Sequence, residues 1–449
     1  TNDTVSLLGG TVRVINRESM LSDSIRASVT FTDAGNTLRS TKQTQRGKRP
    51  SKKKVSAVEG LPIEGSEKVN LKFTDNNGNT LDFSDQKNNS LYVNKLTPLP
   101  TGSETTDKSY MMDLSSLEFI TNEKGGQQVR KVFSGQISDH VKTILEDVVK
   151  TEKDLDIEQT NSTLDFCGNN TKPFYTLNDL STKAVSANSS KGGETAGYFF
   201  WETSNSYHFK SIDKIFTGEP KKKFIFNNST QLPEGYDAKI LTCDIDSDVD
   251  VGKNLMMGMY NNRSIFFDPL AFNYEVRSFP KAEVPQVEGD IVVDEIPTED
   301  EYLEKTQNAA EEPVGKLIPD EFRQSPTRFM SFITDNGVMP SGIDSQEQLN
   351  NWSEAKAKDN FDVKETMSQS IMRYSQLFTV KTEITIPGDF TIKAGDVIQC
   401  DFPDLSGSEV KGVNTETKGI YMVASVCHRI TPTSSNTSLT LVRDSFGEK

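Results

Sequence analysis

The chain has 449 residues, of which 34% are hydrophobic, and a formal net charge of −15. That length exceeds one ordinary hydrophobic core and predicts two to four domains. The negative field argues against nucleic acid as the main partner, because phosphate binding needs positive charge, and no run of about 18 apolar residues offers a membrane span.

The start, Thr1-Asn2-Asp3-Thr4, lacks the basic-then-apolar pattern of a secretory signal, so the expectation is a soluble protein made in a cytoplasm. Abundant Gly, Asn, Ser, Thr and Asp favour short strands joined by turns. Residues 1–115 read as β. Val12–Ile15 is a strand, and Ile25–Phe31 alternates strictly, which predicts one buried face. Turn residues Asp33-Ala34-Gly35-Asn36 close it. Val69–Thr74 and Thr80–Phe83 flank Asn77-Gly78, the signature of a tight hairpin. Leu91–Leu96 follows, and the meander suits a small barrel or sandwich. A basic loop, 39–58, interrupts it. Lys42, Arg46, Lys48, Arg49, Lys52, Lys53 and Lys54 stand there without an aromatic, so sequence-specific nucleic-acid recognition is not expected.

Residues 116–234 change character to α+β. Val141, Ile144, Leu145 and Val148 have helical spacing, with Ser138 or Asp139 as N-cap. A second helix is expected over Leu177–Ala187, then a hairpin of Gly197–Thr203 and Tyr207–Ile212. The third block, 235–449, returns to β. It carries an acidic, Pro- and Glu-rich stretch, 281–325, expected to be a flexible linker or an extended arm along a partner. Strands are then expected over Leu377–Ile386, Phe390–Ile398, Ile420–Ile430 and Thr437–Arg443, with a turn at Pro387-Gly388-Asp389.

A search for chemistry returns no catalytic, cofactor or metal set. His140, His208 and His428 lie in separate segments without a second ligand at metal spacing, and each reads as a structural histidine. Cys167, Cys243, Cys400 and Cys427 form no CxxC, and buried reduced thiols are expected. Asp244-Ile245-Asp246-Ser247-Asp248-Val249-Asp250 alternates like a calcium loop. It lacks the Gly and the bidentate Glu of one, so it reads as a solvated acidic loop. No phosphate loop, nucleophile elbow or zinc-helix motif occurs.

Several stretches resemble one family. They are Gly135–His140, Cys167–Phe174, Gly197–Thr203, Phe209–Asp213, Pro387–Phe390 and Leu439–Gly447. Together they resemble the central hub proteins of the baseplate in contractile-tailed phages, especially those of marine cyanobacteria. The resemblance implies a mainly β chain with an α+β insertion and two barrel-like tube domains, assembling as a ring-shaped homotrimer. Three chains then present six tube-like units and adapt a threefold central spike to a sixfold tail tube. The implied partners are the spike protein (often lysozyme-bearing), the tail-tube initiator proteins, the wedge proteins and, in the lumen, the tape measure and DNA. The implied location is the virion tail, and the implied role is structural. A receptor-binding module and a cell-wall hydrolase are the alternatives; no fibre repeat or acid–base pair singles out either.

Overall fold

Strict alternation builds the first body of the fold in a computed structural model. It describes residues 6–33, 38–39, 54–55, 63, 65, 67–75, 77–84, 89–100, 108–187, 196–227, 231–246, 251–269, 272–279, 303–304, 306–323, 328–334, 344–347, 349–350, 363–402 and 418–445. Strands β1 (Thr11–Ser19) and β2 (Arg26–Asp33) form an antiparallel pair. β3 (Lys68–Val69), β6 (Leu91–Pro98) and β7 (Lys108–Ser115) extend it in the order β1–β2–β7–β6–β3. The hairpin of β4 (Leu71–Thr74) and β5 (Thr80–Phe83) turns at Gly78. There φ is +84°, a conformation glycine reaches without a Cβ penalty. Val29, Phe31, Phe83, Val93 and Leu114 share the core of this body. Residues 40–53 and 56–58 of the basic loop and the turn at 34–37 lie outside the described residues.

Helix α1 (Leu117–Glu123) leads into the insertion. Helix α2 (Ile137–Thr143) continues through a π-helical stretch to Val149. Its N-cap is Gln136 rather than Ser138 or Asp139, because the free Ser138 N–H donates to Thr160 Oγ1 at 3.0 Å. That partner is remote in sequence and invisible to a local capping rule. β8 (Asp154–Ile157) comes next. Helix α3 (Pro173–Lys183) starts four residues earlier than expected and ends four earlier. Proline at its first position has the fixed φ a helix start needs. β9 (Tyr198–Glu202) and β10 (Ser206–Ser211) form the expected hairpin, and β8 pairs in parallel with β10. Phe174, Leu177, Tyr198, Phe200, Tyr207 and Phe209 join Ile137, Val141 and Leu145 in one core. Short helix α4 (Ile212–Phe216) closes the unit.

The second body takes β11 (Lys223–Ile225), β12 (Ala238–Lys239) and β13 (Thr242–Asp246). Then follow helix α5 (Val251–Met257) and a separate three-stranded sheet of β14 (Asn262–Asp268), β15 (Asn273–Phe279) and β16 (Arg328–Ile333). Helix α6 (Val363–Leu377) packs on that sheet's inner face, where Phe266 and Val363 share the insertion's core. Strands β17 (Val380–Pro387), β18 (Val397–Asp401), β19 (Gly419–Ile430) and β20 (Ser435–Arg443) complete the chain. The order is β12–β11–β18–β19–β20–β17–β13. Residues 238–246 pair with β11 at one end and β17 at the other. They enclose Phe224, Ile384, Ile398, Tyr421, Val423 and Leu441.

Three expectations need correction. Leu377 ends helix α6 instead of starting a strand, and the helix buries polar Ser368, Ser370, Arg373 and Gln376, which blur its apolar stripe. Residues 390–396 form a turn segment with Gly395 at φ +86°, so the expected strand begins only at Val397. The end of the acidic stretch is not an arm on a partner: Leu303, Val314 and Ile318 are buried against Tyr260, Phe279 and Met372 of the same chain. Residues 280–302 lie outside the described ones. The two β bodies, far apart in sequence, are one continuous twelve-stranded sheet, because β1 pairs antiparallel with β19 from Val14↔Ile430 to Ser19↔Ser425.

Candidate functional site

The hairpin β9–β10 carries a cluster of buried polar contacts where the insertion meets both β bodies. Trp201 faces the second body. Its indole N–H donates to the Ala394 carbonyl at 3.1 Å, and its ring lies so close to Gly395 that a Cβ there would stand 2.4 Å from Cζ2. Glu202 faces the first body. Its Oε2 accepts from the Ile25 N–H and the Ser116 hydroxyl, each at 2.9 Å, and its Oε1 receives the Lys153 ammonium. At the tip, the Ser204 N–H donates to Glu18 Oε1 at 2.9 Å, the Ser204 carbonyl accepts from Asn89, and Asn205 accepts from Lys393. One two-stranded turn is thus gripped from β1, from residues 89–90 and from the 390–396 turn.

The charges at this seam are buried, and their titration follows. Burial pushes the Glu18 carboxyl up to about 7, against the pull of Lys393 and the Ser204 N–H. Glu18 Oε2 has no hydrogen-bond partner among the described residues. Burial likewise raises Glu202, with Lys153 opposing. For Lys153 burial acts downward, yet Glu202 and Glu118 hold it above its ordinary value, so the ammonium stays charged. A buried ion pair of this kind recovers its desolvation cost only when its remaining hydrogen bonds are met, and the Ile25 and Ser116 donors meet those of Glu202.

A second buried cluster fastens the chain's end. The Arg373 guanidinium, wholly buried on α6, reaches Asp213 Oδ1 at 2.6 Å and Asp444 Oδ2 at 2.5 Å. Asp444 Oδ1 also accepts the Ala309 N–H at 2.8 Å. Helices α4 and α6, the segment around residue 309 and the end of β20 meet on this one arginine.

The histidines sit apart from one another in structural contacts. His140 Nε2 bonds the Leu164 carbonyl at 2.8 Å beside Phe133 and Phe166. His208 lies between Asp156 and Thr203, stacked on Trp201. His428 bonds Thr437 at 3.0 Å, edge-on to Phe390, and burial lowers it to about 4. All four cysteines are free: Cys400 is buried and its thiol pushed well up, Cys243 and Cys427 are half-buried, and Cys167, expected inside, is exposed. Asp244 and Asp246 stand on β13 and residues 247–250 lie outside the described ones. Among the described residues, no group of three His, Cys, Asp or Glu side chains is placed to hold a metal ion, and no helix is long and apolar enough to cross a membrane.

Sequence reasoning passed over Glu18, Lys153, Glu202 and Arg373. One signal was available: strand alternation puts Glu202 on the face of Phe200, so a carboxylate was bound for the interior and had to find a cation there.

No family model matches the chain, and neither does any curated protein. Among solved structures it is similar to the tail protein from Neisseria meningitidis MC58, at 9% identity and TM-score 0.46, covering 97% of this chain and 93% of that one. It is similar to the 43 kDa tail protein of prophage MuSo2 from Shewanella oneidensis, at 10% identity and TM-score 0.48, covering 97% and 96%. It is also similar, at 7% identity and TM-score 0.40, covering 97% and 73%, to c3393 of E. coli. That protein is a component of the type VI secretion system and exhibits structural similarity to the T4 tail proteins gp27 and gp5.

Proposed function

We propose that the chain is a structural subunit of a phage contractile tail, the central hub of its baseplate. In this reading it is a homotrimer that joins a threefold spike to a sixfold tube and forms part of the channel for tape measure and DNA. Spike, tube-initiator and wedge proteins bind around it, and the chain performs no catalysis.

The observation that supports the reading is one continuous sheet that serves two separate apolar cores. Strands β12, β11, β18, β19, β20, β17 and β13 lie in this order around an apolar interior, and residues 238–246 run from the edge at β11 to the edge at β17. The sheet β1–β2–β7–β6–β3 with the β4–β5 hairpin forms a second body joined to it through β1 and β19. Two such barrel-like bodies per chain supply six tube units from three chains, which is the arithmetic a symmetry adapter needs. The resemblance in the sequence supports the same reading, since its segments supply core residues of the fold: His140, Phe174, Trp201, Phe209 and Leu439 are all buried.

Light scattering of the purified chain tests it, with single-particle images of the same sample. The expected mass is three times the 49.9 kDa of one chain, with threefold images that carry six similar lobes around the axis. A strictly monomeric species at tens of micromolar, inert toward a spike protein, refutes the hub.

A further inference from the structure

Two apolar surfaces are open to solvent among the described residues. The first is the exposed part of the outer face of the three-stranded sheet, beside Val276 and Ser278, which share that face and are buried. Register places Phe267 between Tyr274 on β15 and Ile333 on β16, with Ile265 and Phe329 on the same face. Phe272 stands beside Phe267. Phe272 is 84% exposed, Ile333 67%, Phe329 64% and Tyr274 58%. With a full side chain worth roughly 200 Å², these six residues offer on the order of 600–700 Å² of mostly apolar surface. The largest patch of a typical monomer is about 300–600 Å², and one side of a standard interface is about 800 Å². The second surface is a groove of about 480 Å³, lined by Met20 and Leu21 of the β1–β2 turn, Phe199 of β9, and Tyr374 and Phe378 at the end of α6.

The geometry points to a head-to-tail contact between copies of this chain, the sheet face of one seated in the groove of the next. This rests on the trimeric reading above and adds where the subunits meet. Three observations carry it. The sheet face is close in area to one half of a subunit interface. The two surfaces differ in shape, one projecting through Phe272 and the other concave. They also lie toward opposite ends of α6, whose first turn backs the sheet and whose last turn lines the groove; at 1.5 Å per residue these are about 20 Å apart. Two unlike complementary patches set apart on one subunit generate a heterologous contact, which closes into a ring when the rotation permits. The charges agree. Arg263 shares the outer face with Ile265 and pairs with no acid among the described residues, and the groove is lined by Asp23.

The test uses the full chain, with light scattering at tens of micromolar. One variant combines Phe329→Asp with Ile333→Asp, and the other combines Leu21→Asp with Phe378→Asp. Circular dichroism checks that each is folded. Wild type is expected as a trimer and each variant as a monomer. An equimolar mixture is expected to yield dimers and no trimer, because each pair retains one intact sheet face and one intact groove. Arg263→Glu alone is expected to lower the trimer association constant about tenfold, and adding Asp23→Arg to restore it. Trimers that survive in both double variants overturn the inference and leave the trimeric reading standing. So does dissociation of only one variant, or a charge swap that fails to rescue. A monomeric wild type removes the trimeric reading, and the inference with it, and leaves the sheet face to another protein or to other segments of this chain.

Discussion

Glu18 and His428 titrate in opposite senses and give stability opposite dependences on pH. Glu18 is raised from 4.5 to about 7 by burial. Its contribution is complete below about 4.5 and is lost as pH climbs through 7, because the folded state holds a proton the unfolded chain releases. His428 is lowered from 6.5 to about 4 by burial, so its contribution is complete above 6.5 and is lost as pH falls through 4. Glu18→Gln keeps the acceptor for Ser204 and removes the proton linkage. Unfolding free energies from urea denaturation at pH 5 and pH 8 are expected to differ less in Glu18→Gln than in wild type, by up to about 2.5 kcal/mol. An unchanged pH slope refutes this account of the seam. Gly395 belongs to the same contact. Its positive φ and the overlying Trp201 ring leave no room for a methyl group, and Gly395→Ala is expected to cost about 3 kcal/mol, read from the same denaturation curves.

At the scale of elements, α6 is held by charge as much as by apolar packing. Arg373→Met removes the cation between Asp213 and Asp444 and leaves a buried carboxylate uncompensated, at a cost of about 3–5 kcal/mol. Because Asp444 also holds the Ala309 N–H, the same variant is expected to lose hydrogen-exchange protection over residues 303–318 before the β bodies lose theirs. Simultaneous loss in all elements refutes the clamp. This helix also marks where the sequence stopped being legible. Strands with clean alternation, such as Ile25–Phe31, and turns with Asn77-Gly78 are readable because each reports a local rule. In α6 the interior positions include Ser368, Ser370, Arg373 and Gln376, polar types that look solvent-facing; for Arg373 the partners that explain its burial lie 71 and 160 residues away. The seam was hidden for the same reason: Glu18 meets Ser204 across 186 residues. The end of the acidic stretch was misjudged because its composition is polar, while a few residues, Leu303, Val314 and Ile318, anchor it.

At the scale of the molecule, the sequence divides into β, α+β and β blocks, and the three-dimensional chain joins the outer two through β1 and β19. The insertion is no appendage. Its hairpin tip is wedged between the two β bodies, so a force on the insertion bears directly on the seam between them. Three contacts fasten that seam, Glu202–Lys153, Glu18–Ser204 and Trp201–Gly395.

The β1–β19 ladder also dictates when the chain can finish folding. Val14 has to wait for Ile430, so one side of β1 stays unpaired while the stretch between them is translated. At about 5–20 residues per second that wait lasts roughly 20–80 s. Over that interval β1 is a bare strand edge, open to wrong partners on neighbouring nascent chains. High contact order of this kind slows folding, and it makes β19, translated long after β1, the strand that commits it.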